Sequence, residues 1–508
     1  MAMSTITRAM HEQALATAAI GRDEVIGIDE LSPVLGGPPV TYVNVDNAAT
    51  TPALRSVLEA VTDFLPSYSS VHRGTGAKSR FSTASYEQAR ELVGAFVGAD
   101  PVRDTVLFGR HTTDAINLLA ASIDLGPDDV VLTTMLEHHS NDLPWRARTR
   151  VVHVRALPDG SLDLDDLDRL LALHAGRVGL LAVTGASNVT GVVPPVHDLA
   201  ARVHAVGGRI LVDAAQLVAH RPVDMRPHDD PGHLDFVALS GHKMYAPLGT
   251  GALIGRRDGF GSRPHQPGGG TVRAVTVDDV VWADLPDREE GGSPNVVGAV
   301  ALAAAAGRLA TIGLDRIAAH EQALTGYAMA QLARVPGLTI HGPTGADAVL
   351  QKVGVVPFTL DGFASGYVAA VLGHEHGIGV RSGCFCAQPY VAQLLSIPPT
   401  AMLGAAATGG VDGMVRISLG GYSDTDDVDR VVDAVQRVAT GAVRSPYRRE
   451  LDGSWVPGPA HRTPEGADVP PERSAPPRPP RVAPVTEARG RWVPEAPRPM
   501  RRVRSSPT

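Results

Sequence analysis

Between residues 41 and 300 the sequence alternates short apolar runs of strand-forming residues with longer stretches rich in Ala and Leu. The longer stretches, such as residues 85–98 and 163–174, place apolar side chains at i, i+3 and i+4, the spacing of one helical face. The short runs predict strands at residues 105–109, 130–134, 178–185, 209–215, 235–240 and 251–255. Strands that alternate with helices indicate βαβ units, so we predict an α/β fold around a mainly parallel sheet.

The rest of the chain predicts a second domain and two flanking segments. A helical pattern that begins at 299 continues past 313 and predicts a bridge into a smaller α+β domain with its own strands. Fourteen of the 40 prolines and ten arginines lie from residue 451 onward, and this composition buries too little apolar surface to offset the entropy of ordering. We therefore predict four segments, namely an N-terminal arm (1–40), a large domain (41–305), a small C-terminal domain (306–445) and a disordered Pro/Arg-rich tail (446–508).

Composition excludes several classes of protein. The 508 residues carry a formal net charge of −8, which argues against a general nucleic-acid binder. The longest apolar run is too short to cross a bilayer, and the N-terminus lacks the charged-then-apolar order of a secretory signal. The two cysteines, Cys384 and Cys386, are too few for a disulfide framework, and we predict no metal site. We expect a cytoplasmic enzyme with no nucleic-acid or membrane partner.

Lysine is rare in this sequence. Only Lys78, Lys243 and Lys352 stand among 46 basic residues, so each is a candidate for amine chemistry that arginine cannot perform. Lys243 follows one predicted strand, and Asp213 lies at the carboxyl end of another. An amine and a carboxylate that share a cleft are what pyridoxal phosphate requires, because the amine forms a Schiff base and the carboxylate keeps the pyridine nitrogen protonated. A buried Lys–Asp salt bridge is the alternative for this pair alone.

Polar residues follow three further predicted strands. Thr112 and Thr113 open a helix after the first strand, where hydroxyls and free backbone N–H groups suit a phosphate, although an ordinary threonine N-cap would look the same. His138 and His139 follow the second strand, where an imidazole either stacks on an aromatic ring or faces solvent. Asn188 follows the third strand. Because the carboxyl ends of parallel strands meet at one edge of a sheet, these residues predict one site.

The motifs that contain these residues resemble those of a known enzyme family. They are VDNAATTP (45–52), SVHRGTG (70–76), GRHTTDAIN (109–117), LEHHSND (136–142), SNVTG (187–191), LVDAAQ (211–216), SGHKMYAPLGTG (240–251) and RSGCFCAQP (381–389). In this order they resemble the class V PLP-dependent aminotransferase-fold family, closest to its cysteine desulfurases and selenocysteine lyases, over about residues 40–440. The resemblance implies PLP fold type I with a seven-stranded-type sheet, pyridoxal 5'-phosphate as the cofactor and a homodimer.

The resemblance also implies a role for each matching residue. Lys243 would bind the cofactor covalently, His138 would stack on the cofactor ring, and Arg416 would bind the substrate carboxylate. The segment EGGSPN resembles one through which a subunit reaches the phosphate bound by its partner. The other implied contacts are Asp213 to the pyridinium nitrogen, Gln216 to the ring hydroxyl, Thr112, Thr113, Ser240, His242 and Ser293 to phosphate, and Asn188 near the substrate.

The cysteines favour one substrate class. Cys386 matches the family's nucleophilic cysteine, and nearby Arg381 supplies a positive charge that favours a thiolate and lies where a substrate anion would bind. The resemblance implies that Lys243 removes the α-proton of L-cysteine. The Cys386 thiolate then attacks the substrate sulfur, which leaves a persulfide for an acceptor protein and releases L-alanine. A small buried hydrophobe is the alternative for a lone cysteine.

Cys384 departs from the family pattern, in which histidine is frequent at this position. It is a spare thiol, a resolving thiol, or a mark of a specific sulfur acceptor, and the sequence leaves these alternatives open. The chain could instead catalyse another class V reaction, namely selenocysteine lysis, transamination or epimerisation. A rival of a different class is an inactive scaffold whose proline-rich tail binds partners.

Overall fold

A computed structural model describes residues 18–405, 411–450 and 452–458. Strands β1 to β19, numbered in chain order, are Leu31–Ser32, Val40–Thr41, Val43–Asn44, Asp104–Gly109, Val130–Thr134, Arg150–Val154, Val178–Thr184, Arg209–Asp213, Phe236–Ser240, Gly251–Arg256, Val272–Val275, Val280–Trp282, Leu338–Ile340, Val355–Leu360, Ile378–Gly379, Arg381–Gly383, Met414–Ser418, Tyr447–Arg449 and Trp455–Pro457. Helices α1 to α13 are Arg55–Phe64, Ala77–Phe96, Thr112–Ser122, Leu143–Arg146, Leu164–Leu173, Val196–His204, Val296–Ile312, Leu314–Leu332, Ala346–Leu350, Ser365–His376, Gln388–Leu394, Pro399–Ala405 and Thr425–Ala439.

The largest sheet has seven strands in the order β4-β10-β9-β8-β7-β5-β6. Strand β10 runs antiparallel to both of its neighbours, and the other pairings are parallel. The predicted mainly parallel seven-stranded sheet is therefore confirmed, and six of its strands lie where the apolar runs predicted them. The seventh, β6, was not predicted, because its sequence RVVHV lacks a continuous apolar run.

Both faces of this sheet are covered, which explains why its strands are almost continuously apolar. Side chains alternate along a strand, so Val130 and Leu132 pack into the core on one face while Val131 packs into the core on the other. Helix α3 and Trp145 cover the second face. Helices α2 and α7 pack together over the first face. This arrangement fixes the strands and leaves their carboxyl ends free to carry polar residues.

A second sheet has the antiparallel order β13-β14-β17-β16 and its own hydrophobic core. Helices α8, α10 and α13 contribute buried apolar side chains to that core. Helix α13 begins with a capping box, in which the Asp424 carboxylate accepts the Asp427 N–H and the Asp427 carboxylate accepts the Asp424 N–H. The predicted small α+β domain is therefore present, with its own sheet and its own core. Both sheets belong to one compact unit.

The boundary between the two sheets differs from the predicted one at residue 305. Helix α7 continues past residue 305 as far as Ile312. The next residue, Gly313, has a φ of 91°, a conformation that glycine adopts readily, and it ends the helix. The predicted continuous helix is instead two helices bent by 74°. Among the described residues no single helix is long and apolar enough to cross a membrane, and only α7 and α8 taken together reach that length and composition.

The first described residues do not form a separate arm. Ile20 and Val25 are buried in the core of the large sheet, although the sequence placed them in the arm. Val43 and Val45 pack in the core of the small sheet, and β3 pairs in parallel with β15. The start of the chain therefore joins both layers, a long-range pairing that local sequence patterns do not encode.

Part of the predicted disordered tail (446–508) is ordered. Strands β18 and β19 pair antiparallel, and the Trp455 ring meets the Tyr367 ring edge-on at 5.4 Å between centroids. This contact between Trp455 and Tyr367 holds the strand pair against the small domain, although the local composition is polar. Residues 459–508, which hold most of the predicted tail, lie outside the described part of the chain.

Candidate active site

The carboxyl ends of the parallel strands open into a cavity of about 380 Å³. Polar residues that follow β4, β5, β7, β8 and β9 converge on it, as the sequence predicted. The structure brings together every predicted site residue except Ser293, namely Thr112, Thr113, His138, Asn188, Asp213, Gln216, Ser240, His242, Lys243, Arg381, Cys386 and Arg416.

Lys243 lies in the short 3-10 turn Gly241–Lys243 directly after β9. Burial lowers the pKa of its amine to about 8, an effect that Asp213 partly opposes and Arg416 reinforces. No hydrogen bond joins the Lys243 amine to another residue in the described part of the chain. It is therefore not held in the direct salt bridge that was the alternative from sequence, and it remains available to a bound group.

Asp213 and Gln216 lie at the carboxyl end of β8 and are almost completely buried. The Asp213 carboxylate accepts the backbone N–H of Ala215 at 3.0 Å, and the Gln216 amide donates to the carbonyl of Ala48. Burial raises the pKa of Asp213, with Lys243 acting in the opposite direction. A buried carboxylate with one backbone donor needs a further cation or donor, and the cavity side provides room for one.

The N-terminus of α3 faces the same cavity. His111, rather than a threonine, caps the helix, because its Nδ1 accepts the backbone N–H of Asp114. The Thr112 N–H donates to the Ser240 hydroxyl oxygen at 2.8 Å, and the two hydroxyls also lie 2.8 Å apart. The threonine N-cap alternative is thus wrong, and hydroxyls and backbone donors cluster where an anion is stabilised.

His138 is fixed beside this helix by Ser140. The His138 Nδ1 accepts the backbone N–H of Ser140 at 3.1 Å and lies 2.9 Å from the Ser140 hydroxyl, which contacts the Thr113 hydroxyl at 2.6 Å. Burial and then the charge of Lys243 lower the pKa of His138 to about 3. Burial and Lys243 likewise lower the pKa of His242 to about 4. Both rings are therefore neutral near pH 7.

The loop that carries the two cysteines is strained and anchored. Phe385 and Cys386 have φ values of 52° and 54°, in the left-handed region that residues other than glycine seldom adopt. The Asn188 amide donates to the Phe385 carbonyl at 2.7 Å, and the His139 N–H donates to the Cys386 carbonyl at 2.7 Å. These contacts hold the exposed Cys386 at the cavity, and they give His139 a structural role.

The two thiols differ in their surroundings. Cys386 is exposed and lines the cavity, whereas Cys384 is half-buried and does not line it. Burial, then Asp412 and Cys386, raise the pKa of Cys384, which disfavours its thiolate. The geometry therefore supports Cys386 as the nucleophile, and neither thiol is the fully buried hydrophobe that was the alternative.

Arg416 lies in β17 with only 2% of its surface exposed. Its guanidinium donates to the Asn188 carbonyl at 2.8 Å and to the Asp46 carboxylate at 3.0 Å, and it lies 4.9 Å from the centre of the Phe385 ring. Its Nε is buried without a hydrogen-bond partner. Arg381 reaches the other oxygen of Asp46 at 3.0 Å. Two arginines and an unpaired donor thus create a binding place for a carboxylate.

Ser293 lies apart from these residues. It is exposed and lines a second cavity of about 430 Å³ together with residues of the segments 68–73 and 269–296. The single chain does not bring it to Lys243.

Comparison with known proteins places the chain in a family. The sequence profile of Aminotransferase class-V matches residues 43–431. The chain belongs to the class-V aminotransferase family. It is 37% identical over 415 residues to a cysteine desulfurase of Dickeya dadantii, covering 80% of this chain and 93% of that one. It is 36% identical over 407 residues to a cysteine desulfurase of Haloferax volcanii, covering 78% of this chain and 89% of that one.

The fold of this class-V family member is also that of a solved relative. The apo structure of cysteine desulfurase from Thermococcus onnurineus NA1 matches with a TM-score of 0.69 at 30% identity, covering 79% of this chain and 95% of that one. The predicted family and fold type are thereby confirmed. The residue roles carried over from the resemblance stay predictions, although the cavity geometry accommodates them.

Three residues at the site received no role from sequence reasoning, although each stands in a motif that the resemblance used. Asp46 pairs with both arginines, Ser140 holds His138, and His111 caps α3. A fourth, Glu137, accepts three hydrogen bonds, one of them from the backbone N–H of the cavity-lining Thr184. Burial raises its pKa to about 8, with Asp213 adding to the effect. Asp46 has its partners more than 300 positions away, and the other three act through side-chain contacts that motif spacing does not encode.

Proposed function

We propose that this chain is a pyridoxal phosphate-dependent cysteine desulfurase that converts L-cysteine to L-alanine and transfers sulfur to Cys386. One observation carries the proposal: the amine of Lys243 and the exposed thiol of Cys386 line the same cavity as the guanidinium of Arg416. A transaminase or epimerase needs the amine but has no use for a thiol at that place.

The donor set of the cavity fits the cofactor. Lys243 would hold it covalently, with Asp213 at the ring nitrogen, Gln216 at the ring hydroxyl and His138 against the ring. Its phosphate would lie at the N-terminus of α3 against Thr112, Thr113, Ser240 and His242. The unpaired Lys243 amine and the singly bonded Asp213 carboxylate support this fit, because each needs a partner that the protein itself does not provide.

Pyridoxal phosphate supplies, when bound, a ring that withdraws electrons from the substrate α-carbon. The chain supplies the binding and the proton transfer. Arg416 binds the substrate carboxylate, and the Nε that lacks a protein partner offers a free donor for it. Lys243, whose amine has a pKa near 8, is neutral in a useful fraction at neutral pH and accepts the α-proton.

Sulfur transfer then takes place at Cys386. Its thiolate attacks the substrate sulfur, so an S–S bond forms while the Cβ–S bond breaks. The electron pair of the broken bond stays with Cβ, which takes up a proton to become the methyl group of L-alanine, and Lys243 returns its proton to the α-carbon. Cys386 keeps the sulfur as a persulfide, and its exposure lets an acceptor protein or a thiol collect it.

The decisive experiment compares the two cysteines in the full-length protein. With L-cysteine as substrate, the parent is expected to yield alanine and protein-bound persulfide in equal amounts in the first turnover. Cys386→Ser is expected to lose the persulfide and keep the visible absorbance of bound cofactor, and Cys384→Ser serves as the matched control that retains both. Persulfide on Cys386→Ser, or alanine without bound sulfur, would overturn the proposal. Protein that binds no cofactor at all would favour the scaffold alternative.

The proposal includes a homodimer in the cytoplasm. The exposed Ser293, in its separate cavity, supports the reading that this segment serves the phosphate of a partner subunit. Two free thiols suit a reducing compartment. Light scattering of the purified protein and fractionation of the source cells test these two points, and a monomer or a secreted protein would contradict them.

A further inference from the structure

A second cluster of ionisable side chains lies at the opposite edge of the large sheet from the cavity. Asp104 begins β4, and His228 and His233 lie in the loop between β8 and β9. Strands β4 and β9 run in the same direction, because each is antiparallel to β10. Their amino-terminal ends therefore share an edge, whereas the cavity lies at their carboxyl ends.

Each imidazole in this cluster has one nitrogen fixed and one nitrogen without a partner. His228 Nε2 lies 2.9 Å from the Asp104 carboxylate, and His233 Nδ1 donates to the Arg226 carbonyl at 2.8 Å. The other nitrogens, His228 Nδ1 and His233 Nε2, are buried and make no hydrogen bond. The two rings lie 4.1 Å apart between centroids, and the side chain of His228 is 2% exposed.

The fixed nitrogens determine what the unpaired ones can do. A carbonyl only accepts hydrogen bonds, so His233 Nδ1 carries a proton and the buried Nε2 of the same ring offers a lone pair. Leaving that lone pair buried and unsatisfied costs free energy. The Asp104 carboxylate and His228 Nε2 lie 2.9 Å apart, a separation that two ligands of one ion also have, so an ion would replace the proton between them. An ion at this place would bind His233 Nε2 as well.

We propose that Asp104, His228 and His233 bind a divalent transition-metal ion, Zn²⁺, as a structural site separate from the catalytic cavity. One donor atom from each residue lies within 4.8 Å of the other two, a spacing from which three side chains can share one ion. Two imidazoles and a carboxylate are a donor set that zinc accepts. This departs from the sequence prediction of no metal site, which rested on the two cysteines alone.

The surroundings of the cluster suit a cation held in place. The second oxygen of Asp104 accepts the Asp100 N–H at 2.8 Å, which orients the carboxylate, and the Arg226 carbonyl orients His233. The carboxylates of Asp100 and Asp258 also act electrostatically on His228, although Asp258 is paired with Arg256. The ion would tie the loop from 226 to 233 to the start of β4.

The test uses the full chain without an affinity tag of histidines, in a Cys384→Ser/Cys386→Ser background so that thiols hold no metal. After dialysis against a chelator, titration with ZnCl₂ in a calorimeter is expected to give one ion per chain. Adding His233→Ala is expected to lower the zinc affinity by more than about tenfold. His153→Ala is the matched control, because His153 also faces a carboxylate, that of Asp142 at 3.0 Å, and it should leave the affinity unchanged.

A second measurement keeps the proposal testable if the alanine variant does not fold. Zinc is expected to raise the midpoint of thermal unfolding of the background protein, and to raise it less in His233→Gln. Absence of stoichiometric zinc binding in the background protein overturns the site. Equal binding by His233→Ala, or a midpoint that zinc does not move, overturns it as well.

Discussion

Asp46 and Arg416 lie 370 positions apart in the chain and form an ion pair beside the catalytic cavity, with 3.0 Å between Oδ1 and Nη2. The same carboxylate meets Arg381 at 3.0 Å through its other oxygen. Asp46 thus sets the orientation of both arginines. Because Arg416 is almost fully buried, this partner offsets part of the cost of removing its charge from water.

Replacing this carboxylate is expected to weaken substrate binding. In Asp46→Asn the amide keeps one acceptor oxygen but loses the negative charge between the arginines. We expect the KM for L-cysteine to rise about tenfold, equivalent to about 1.4 kcal/mol, with a smaller change in kcat. Steady-state kinetics measure both quantities. Asp433→Asn, which alters an exposed Asp–Arg pair, is the control, and an unchanged KM in Asp46→Asn would contradict the assigned role.

The cysteine loop is expected to depend on Asn188. Asn188→Ala removes the amide that donates to the Phe385 carbonyl, so the strained conformation at residues 385 and 386 loses an anchor. We expect the rate of persulfide formation in a single turnover to fall about tenfold, because misplacing a nucleophile costs rate even when its chemistry is intact. Single-turnover reactions that are quenched at successive times and analysed for protein-bound sulfur measure this rate. A rate equal to that of the parent would mean that the other contacts suffice to hold the loop.

Proton transfer should follow the ionisation of Lys243. The amine accepts a proton only when neutral, and its pKa is lowered to about 8, so the rate of α-proton removal should rise as pH increases from 7 through 8 and level off above 9. Exchange of the substrate α-proton in D₂O, followed in Cys386→Ser, isolates this step from ionisation of the Cys386 thiol. A rate independent of pH between 7 and 9 would count against Lys243 as the acceptor.

Stability is expected to depend on a buried ion pair away from the cavity. Arg90 and Glu290 lie 2.8 Å apart with side chains 11% and 7% exposed, and the Tyr86 hydroxyl donates to the same carboxylate. Arg90→Met leaves that carboxylate buried without its cation, which costs about 3 kcal/mol. Thermal unfolding should show a clearly lower midpoint. Arg437→Met, in an exposed pair, should leave the midpoint unchanged, and equal effects of the two substitutions would contradict the burial argument.

Much of the fold and most of the cavity could be predicted because their determinants are local. Apolar runs located six strands of the large sheet, and the parallel arrangement placed the residues after them at one edge. Lys243 and Asp213 followed from that reasoning alone.

The parts that escaped prediction depend on distant partners. Asp46 acquires its role from Arg416, and Ser140 acquires its role from the position of α3. His228 contacts Asp104, which lies 124 positions away, and no motif spacing predicts this pair. Packing of Trp455 on Tyr367 likewise carries order past residue 446, where composition alone predicted none.

The pairing of β3 with β15 and the Asp46–Arg416 contact have a consequence for synthesis of the protein. A ribosome that has just translated Lys243 has produced the amine but not the strand that carries Arg416. A nascent chain therefore lacks a complete pocket until the strand that carries Arg416 has emerged from the ribosome. Loading of the proposed vitamin B6 cofactor into a complete pocket would then follow translation of residue 416, and any product truncated before that point lacks the guanidinium that we propose retains the amino acid.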